Sequence, residues 1–148
     1  MPQHREIRTI PFSQKQMFDL VADIERYPDF LPWCIDAKIH DKNNKEIIAS
    51  LKIGYNNFSE NFVSKVKLSE PNAIEVEDKD GPFEFLTNKW EFNIADNNHC
   101  EIVFDIDFSF NSSVLNIIMG NLFYRAFKKM VSSFEDRAHN IYSTPIIE

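Results

Sequence analysis

The sequence predicts an α+β fold in which a curved antiparallel sheet of about seven strands wraps around a long C-terminal helix. Three observations predict it. The apolar period is helical near residue 20, switches to two between about residues 35 and 110, and turns helical again after residue 113. Turn clusters too short for parallel crossovers separate the period-two runs, which favours antiparallel hairpins. The final helical run is one-sided along its length, so it needs an apolar face to cover.

The elements follow in order. Ile7, Thr9, Ile10 and Phe12 form an opening strand that Pro11 ends. Ser13-Gln14-Lys15-Gln16 reads as a capping box, with Phe12 and Met17 spaced as a hydrophobic staple. Met17, Phe18, Leu20, Val21 and Ile24 recur at helical spacing, and Tyr27-Pro28 stops the helix because the residue before proline avoids helical angles. Turns at Asp41-Lys42-Asn43-Asn44, Gly54-Tyr55-Asn56-Asn57, Glu70-Pro71-Asn72, Asp80-Gly81-Pro82 and Asp96-Asn97-Asn98 divide a strand meander. Its clearest strands alternate: Ile47, Ala49, Leu51 and Ile53 against Glu46, Ser50 and Lys52, then Ile102, Phe104, Ile106, Phe108 and Phe110 against Asp105, Asp107 and Ser109. One face is wet and the other covered. After the N-cap choices Asn111-Ser112-Ser113, residues Leu115, Met119, Leu122, Phe123, Ala126, Phe127, Met130, Phe134, Ala138 and Ile141 make one apolar stripe, opposite Arg125, Lys128, Ser132, Glu135 and His139.

Composition bounds the function. A chain of 148 residues is expected to form one domain, residues 1–148, with a core large enough to need no disulfide or metal staple. Fourteen Phe against three Gly give an interior of rigid rings and few backbone-lined phosphate sites. A net charge of −7 disfavours a sequence-independent grip on DNA. Met1-Pro2-Gln3-His4-Arg5-Glu6 has neither an apolar h-region nor an Arg/Ser-rich leader, so the cytoplasm is the expected location. Phe108 to Tyr124 is uncharged but, with its Asn and Ser residues, falls short of the ~20 apolar residues of a membrane span. Cys34 and Cys100 form no C-x-x-C pattern and read as buried thiols.

Candidate chemistry is sparse. His4, His40, His99 and His139 lack ligand spacing, so no metal is expected. There is no G-x-S-x-G, P-loop or G-x-G-x-x-G. Cys34 with a remote histidine is a weaker reading than an inert thiol. The sheet and its helix should leave a wedge lined by Phe, Met and Trp, either filled by its own rings or open to an apolar ligand. On the strand Phe58 to Leu68, Glu60 and Ser64 share the parity of Phe62 and Val66. A carboxylate there binds a polar ligand end, pairs with a cation or sits at an open rim. Arg137 returns to the apolar stripe about five turns after Met119, where it either partners Glu60 or snorkels into water. The segment Tyr27-Pro28-Asp29-Phe30-Leu31-Pro32-Trp33 and the turn-borne Phe83 supply further rings that pack or frame a pocket mouth.

Tyr27-Pro28-x-Phe30-Leu31-Pro32-Trp33-Cys34, Asp80-Gly81-Pro82-Phe83, Trp90-x-Phe92, Phe108-x-Phe110 and Phe134-x-x-Arg137-Ala138 with Tyr142, in that order along nearly the whole chain, resemble the coenzyme-Q-binding START-like family. The resemblance implies a helix-grip (SRPBCC) fold with a hydrophobic tunnel, polyprenyl-quinone or lipid binding in one branch, and association with the large ribosomal subunit in a toxin branch. Pro32-Trp33-Cys34 and Ser59-Glu60-x-Phe62-x-Ser64 look closer to the quinone-binding branch. The expected function is therefore non-enzymatic binding or transport of a hydrophobic molecule, ubiquinone or another polyprenyl lipid, in support of respiration. Ubiquinone would be a bound ligand and not a catalytic cofactor. Its expected site is Phe30, Trp33, Glu60, Phe62, Ser64, Phe83, Trp90, Phe92, Phe104, Met119, Phe123, Phe127 and Arg137, with no catalytic residue. A transient contact with the inner-membrane surface accompanies that reading. The rival is a toxin-like protein that binds the large ribosomal subunit and blocks subunit joining, using Arg125, Lys128 and Lys129. A polyketide cyclase or dehydratase has least support, because no acid/base pair for ring closure stands out.

Overall fold

The computed structural model describes residues 3–55, 58–80, 83–96 and 98–142. The expected turn residues Asn56, Asn57, Gly81, Pro82 and Asn97, the side chain of Phe58, and Met1-Pro2 lie outside the described residues. Strand β1 (Gln3–Ile10) is followed by helix α1 (Gln14–Ala22) and a 3-10 turn (Ile24–Asp29). Strands β2 (Cys34–Lys42), β3 (Glu46–Tyr55), β4 (Phe58–Ser69), β5 (Ala73–Asp80), β6 (Phe83–Asp96) and β7 (His99–Phe110) come next, then helices α2 (Ser113–Lys128) and α3 (Met130–Tyr142).

The seven strands form one sheet in the order β1-β7-β6-β5-β4-β3-β2, every neighbouring pair antiparallel. Strands β2 to β7 are a simple meander, as the short turns require, and β1 adds beyond β7. The α1 start is the predicted capping box: the Gln16 N–H donates to Ser13 Oγ (3.1 Å) and the Ser13 N–H to Gln16 Oε1 (2.9 Å). Parity puts Ile102, Phe104, Ile106, Phe108 and Phe110 of β7 on the covered face, all at most 3% exposed. Ile7 of β1 has the opposite parity and is 56% exposed, so it belongs to the outer face.

The expected single long helix is corrected. It divides at Lys129, whose N–H bonds to Ala126 O (3.1 Å), a tightened contact three residues back. No Pro or Gly marks the break. The hydroxyls of Ser132 and Ser133 donate to Lys129 O at 3.0 and 2.8 Å, and such back-bonding competes with regular helix and bends it. Ile141, placed on the apolar stripe by its spacing, is 39% exposed. Its neighbour Tyr142 turns in to donate to Gln16 O (2.9 Å). Helix α2 packs on β7 and β1, and α3 on α1. Strands β3 to β5 face the two helices across a shared space, with Phe62 of β4 reaching Phe123 of α2 at 5.9 Å.

Candidate functional site: an apolar cavity between sheet and helices

The sheet's covered face carries two groups of rings. At the α3 end, Phe134 (1% exposed) meets Trp90 at 5.1 Å, Tyr27 at 5.3 Å and Phe30 at 5.0 Å, all edge-on. Edge-to-face pairs of this kind are the favoured aromatic geometry. At the α2 end, Phe83 stacks on Phe110 (4.7 Å), Phe110 on Phe123 (5.3 Å), and Phe62 closes on Phe83 (4.9 Å). Phe127 stands edge-on to Phe108 at 5.2 Å.

Between the two groups lies a cavity of about 120 Å³. Val21, Ile24, Tyr27, Leu31, Trp33 and Cys34 wall it from the α1 side; Ala49, Leu51 and Ile53 from β3; Phe62, Ser64 and Val66 from β4; and Ile74, Val76 and Asp78 from β5. Strand β6 adds Phe83, Leu86, Asn88 and Trp90, β7 adds Ile106, and the helices add Phe123, Ala126, Phe127, Met130 and Phe134. Ten of these wall residues are half-buried, Trp33, Leu51, Phe127 and Met130 among them, so the chamber is incompletely covered. Phe127 and Met130, on either side of the division at Lys129, both line the cavity.

Polar wall groups are few and adjacent. Ser64 of β4 stands opposite Asp78 of β5, and Val76, two residues before Asp78, stands opposite Asn88 of β6. Residues i and i+2 of a strand share a face, so Ser64, Asp78 and Asn88 make one polar corner in an otherwise apolar chamber. Asn88 Nδ2 donates to Asp105 O (2.8 Å), which holds its amide in place. Burial pushes the Cys34 thiol up to about 11 and the Cys100 thiol likewise, so at neutral pH both are protonated and poor nucleophiles. Burial also raises the Tyr27 phenol, which donates to Val21 O.

Of the expected site residues, Trp33, Phe62, Ser64, Phe83, Trp90, Phe123 and Phe127 line the cavity, and Phe30, Glu60, Phe92, Phe104, Met119 and Arg137 do not. Phe92 and Phe104 are fully buried against Phe18 and Trp90. Met119 is 4% exposed in the packed core. Phe30 sits outside the wall, over Phe134. Glu60 is half-exposed opposite Ile53, near the β3–β4 turn. Arg137 does not reach it. Its guanidinium lies 5.2 Å over the Phe30 ring and 3.8 Å from Asp29, a cation–π contact against the segment that follows α1, while its Nε is buried without a hydrogen bond. Asp78 and Asn88 went unread, although Asp78 shares parity with Ile74 and Val76 just as Glu60 does with Phe62. Among the described residues no group of three or more His, Cys, Asp or Glu could hold a metal, and no helix is long and apolar enough to cross a membrane.

Residues 10–135 match the family described as polyketide cyclase/dehydrase and lipid transport. The chain belongs to that family. The chain is 39% identical over 143 residues to the ribosome association toxin RatA of Rickettsia prowazekii, covering 94% of this chain and 96% of that one. It is 28% identical to the mitochondrial coenzyme Q-binding protein COQ10 homolog B of Xenopus laevis, covering 95% of this chain and 59% of the relative. A START superfamily protein from Mycobacterium smegmatis superposes with a TM-score of 0.80 at 16% identity, covering 94% and 98% of the two chains. That likeness is one of fold. The α+β helix-grip architecture and the START-like relationship expected from the ordered motifs are both borne out.

Proposed function

We propose that the protein binds, without chemical turnover, one apolar molecule that carries a polar head, and that a polyprenyl quinone such as ubiquinone or a related lipid fills this role. The observation that carries the reading is the cavity itself: about 120 Å³ of space walled by rings and aliphatic groups, with Ser64, Asp78 and Asn88 at one corner. An apolar cavity of roughly 150 Å³ takes a benzene-sized guest. The cavity is a little smaller than that, so a substituted quinone ring enters by pushing the half-buried wall groups outward, and a long tail has to extend out of the chamber. Ser64 and Asn88 offer donors and acceptors to ring oxygens, and Asp78 accepts from a hydroxyl. Each isoprenoid unit that stays against apolar wall gains on the order of 25 cal/mol per Å² removed from water. The raised thiols and the lack of an acid beside a base argue against catalysis by these walls.

Native mass spectrometry of protein purified from its own cell, followed by organic extraction, tests the proposal. A single apolar species bound one per chain is the expected result. Protein that is repeatedly empty, and that rejects added quinone, overturns it.

A second reading has a specific observation behind it: the 39% identity to a ribosome association toxin. Under it, a salt-sensitive contact with the large subunit would draw on cations that form no ion pair among the described residues, such as Lys38, Lys42, Lys45 and Lys52 on β2 and β3 and the turn between them. Sedimentation through sucrose at low salt is the check: co-migration with the large subunit supports this reading, and protein that stays at the top of the gradient removes it.

A further inference from the structure

Helix α2 has an outward face that neither the fold nor the cavity uses. At 100° per residue, Val114, Ile117, Asn121, Arg125 and Lys128 fall within about 80° of one another. All five are exposed, Val114 at 61% and Ile117 at 80%. The opposite face is buried through Met119 and Phe123 and lines the cavity through Phe123 and Phe127. The stripe has a direction. Its aliphatic residues lie at the N-terminal end and its cations, with Lys129 just beyond, at the end next to the cavity-lining Phe127 and Met130.

The charge around it is equally one-sided. From residue 108 to residue 134 the chain has no Asp or Glu, although the whole molecule carries −7. Arg125, Lys128 and Lys129 form no ion pair among the described residues, and Lys128 rests 5.4 Å over the Tyr124 ring. Arg5, Arg8, Lys15, Arg26, Lys65, Lys89 and Arg137, by contrast, are each within 4 Å of a carboxylate. The other exposed aliphatic residues, Ile7, Ile35, Ile94 and Ile141, lie on separate elements and need no explanation. Val114 and Ile117 are one turn apart on the same stripe.

We infer that α2 docks this protein on an anionic lipid surface. Cations pair with phosphate head groups while neighbouring aliphatic side chains enter the acyl boundary, which is the chemistry of an interfacial helix. A nucleic-acid backbone would use the cations and leave Val114 and Ile117 without a role, and the stripe presents no free aromatic ring for bases to stack on. The aliphatic end dips into the bilayer, the cationic end stays at head-group level, and the cavity wall at Phe127 and Met130 is held close to the membrane. The inference rests on the ligand-binding reading for its purpose, not for its evidence.

Vesicle flotation with phosphatidylcholine alone and with phosphatidylcholine mixed with phosphatidylglycerol tests it, using the full chain. Wild type should float with the mixed vesicles, not with the neutral ones, and should release in high salt. Ile117→Asp should weaken flotation by about tenfold or more, and Arg125→Glu with Lys128→Glu by at least as much, at roughly fivefold per charge. Both sites are exposed, so unchanged thermal unfolding confirms intact variants. No flotation of wild type overturns the inference. So does loss with the charge reversals but not with Ile117→Asp, which would make the stripe a general polyanion site such as an RNA contact. Quinone retention in detergent-free solution, measured on the same Ile117→Asp protein, should match wild type. If retention is absent in both while flotation persists, the ligand reading fails and the docking surface stands.

Discussion

The two C-terminal helices solve the same covering problem in opposite ways. Helix α3 is tied down by polar and ring contacts along its length. Arg8 bridges Glu6 (2.7 Å) and Glu135 (2.8 Å), Tyr142 donates to Gln16 O, and Phe134 is wedged among Trp90, Tyr27 and Phe30. Glu135, which spacing alone assigns to a free polar face, is the α3 side of that clamp to β1. Helix α2 is held at its start, where Asn116 accepts from the Phe110 N–H (2.9 Å) and donates to Phe110 O (3.1 Å). Beyond that it is held by ring packing. A Cβ at Gly120 would meet no atom within 4 Å, so the packing under α2 has room to spare. One helix packs on α1 over the rings of the sheet, and the other roofs a cavity. The difference teaches that a single amphipathic stripe in the sequence can serve both purposes, with the division at Lys129 separating them.

Substitutions at the two ends should therefore differ. The largest effect is expected for Phe134→Ala, which opens a void in the tied-down half and should cost about 3–5 kcal/mol in chemical denaturation; a loss below about 1 kcal/mol would mean the α3 cluster is not the anchor described. The thiols come next. With both Cys pKa values at about 11 in the folded protein against an ordinary value near 9, unfolding releases protons above pH 9, so stability should fall as pH rises from about 9 to 11. Cys34 lines the cavity and Cys100 does not, so a bound quinone should slow alkylation of Cys34 by a small apolar maleimide and leave Cys100 unchanged. Mass mapping of the modified peptides reads this directly, and equal protection of both would contradict it. Arg8→Ala should cost at most about 1 kcal/mol, because the pair is partly solvated. Gly120→Ala is expected to stabilise by roughly 0.5–1 kcal/mol through helix propensity. An equal loss would mean the space at Gly120 is already filled in solution.

Much of the frame was legible beforehand. The Ser13 capping box, the alternation of β3 and β7 and the β2 to β7 meander all follow from local rules, which sequence spacing records, whereas the pairing of β1 with β7 joins residues about 100 apart and has no such signal. The division of the last helix was not, because no Pro or Gly announces it and the serine hydroxyls that favour it act only once the helix has formed. Glu60 and Asp78 show the limit of parity: both carry the inward phase, but Glu60 sits near a strand end, where inward means towards the rim, and Asp78 sits beside Ser64 in mid-sheet. Phe92, Phe104 and Met119 have the right chemistry for a pocket and are consumed by core packing, a choice that depends on how rings from β4, β6, β7 and the helices meet and not on any one strand. Cavity volume has no sequence signature at all.

The two tryptophans of the chain, Trp33 and Trp90, both line the cavity, which makes quenching of their fluorescence by a short-tailed ubiquinone the most direct test of the central claim. Titration of wild type should quench saturably with one equivalent, and Phe123→Asp, which sets a charge in the roof, should abolish the saturable phase while the protein stays folded. Linear, unsaturable quenching in wild type, or identical curves for the two proteins, would contradict the account.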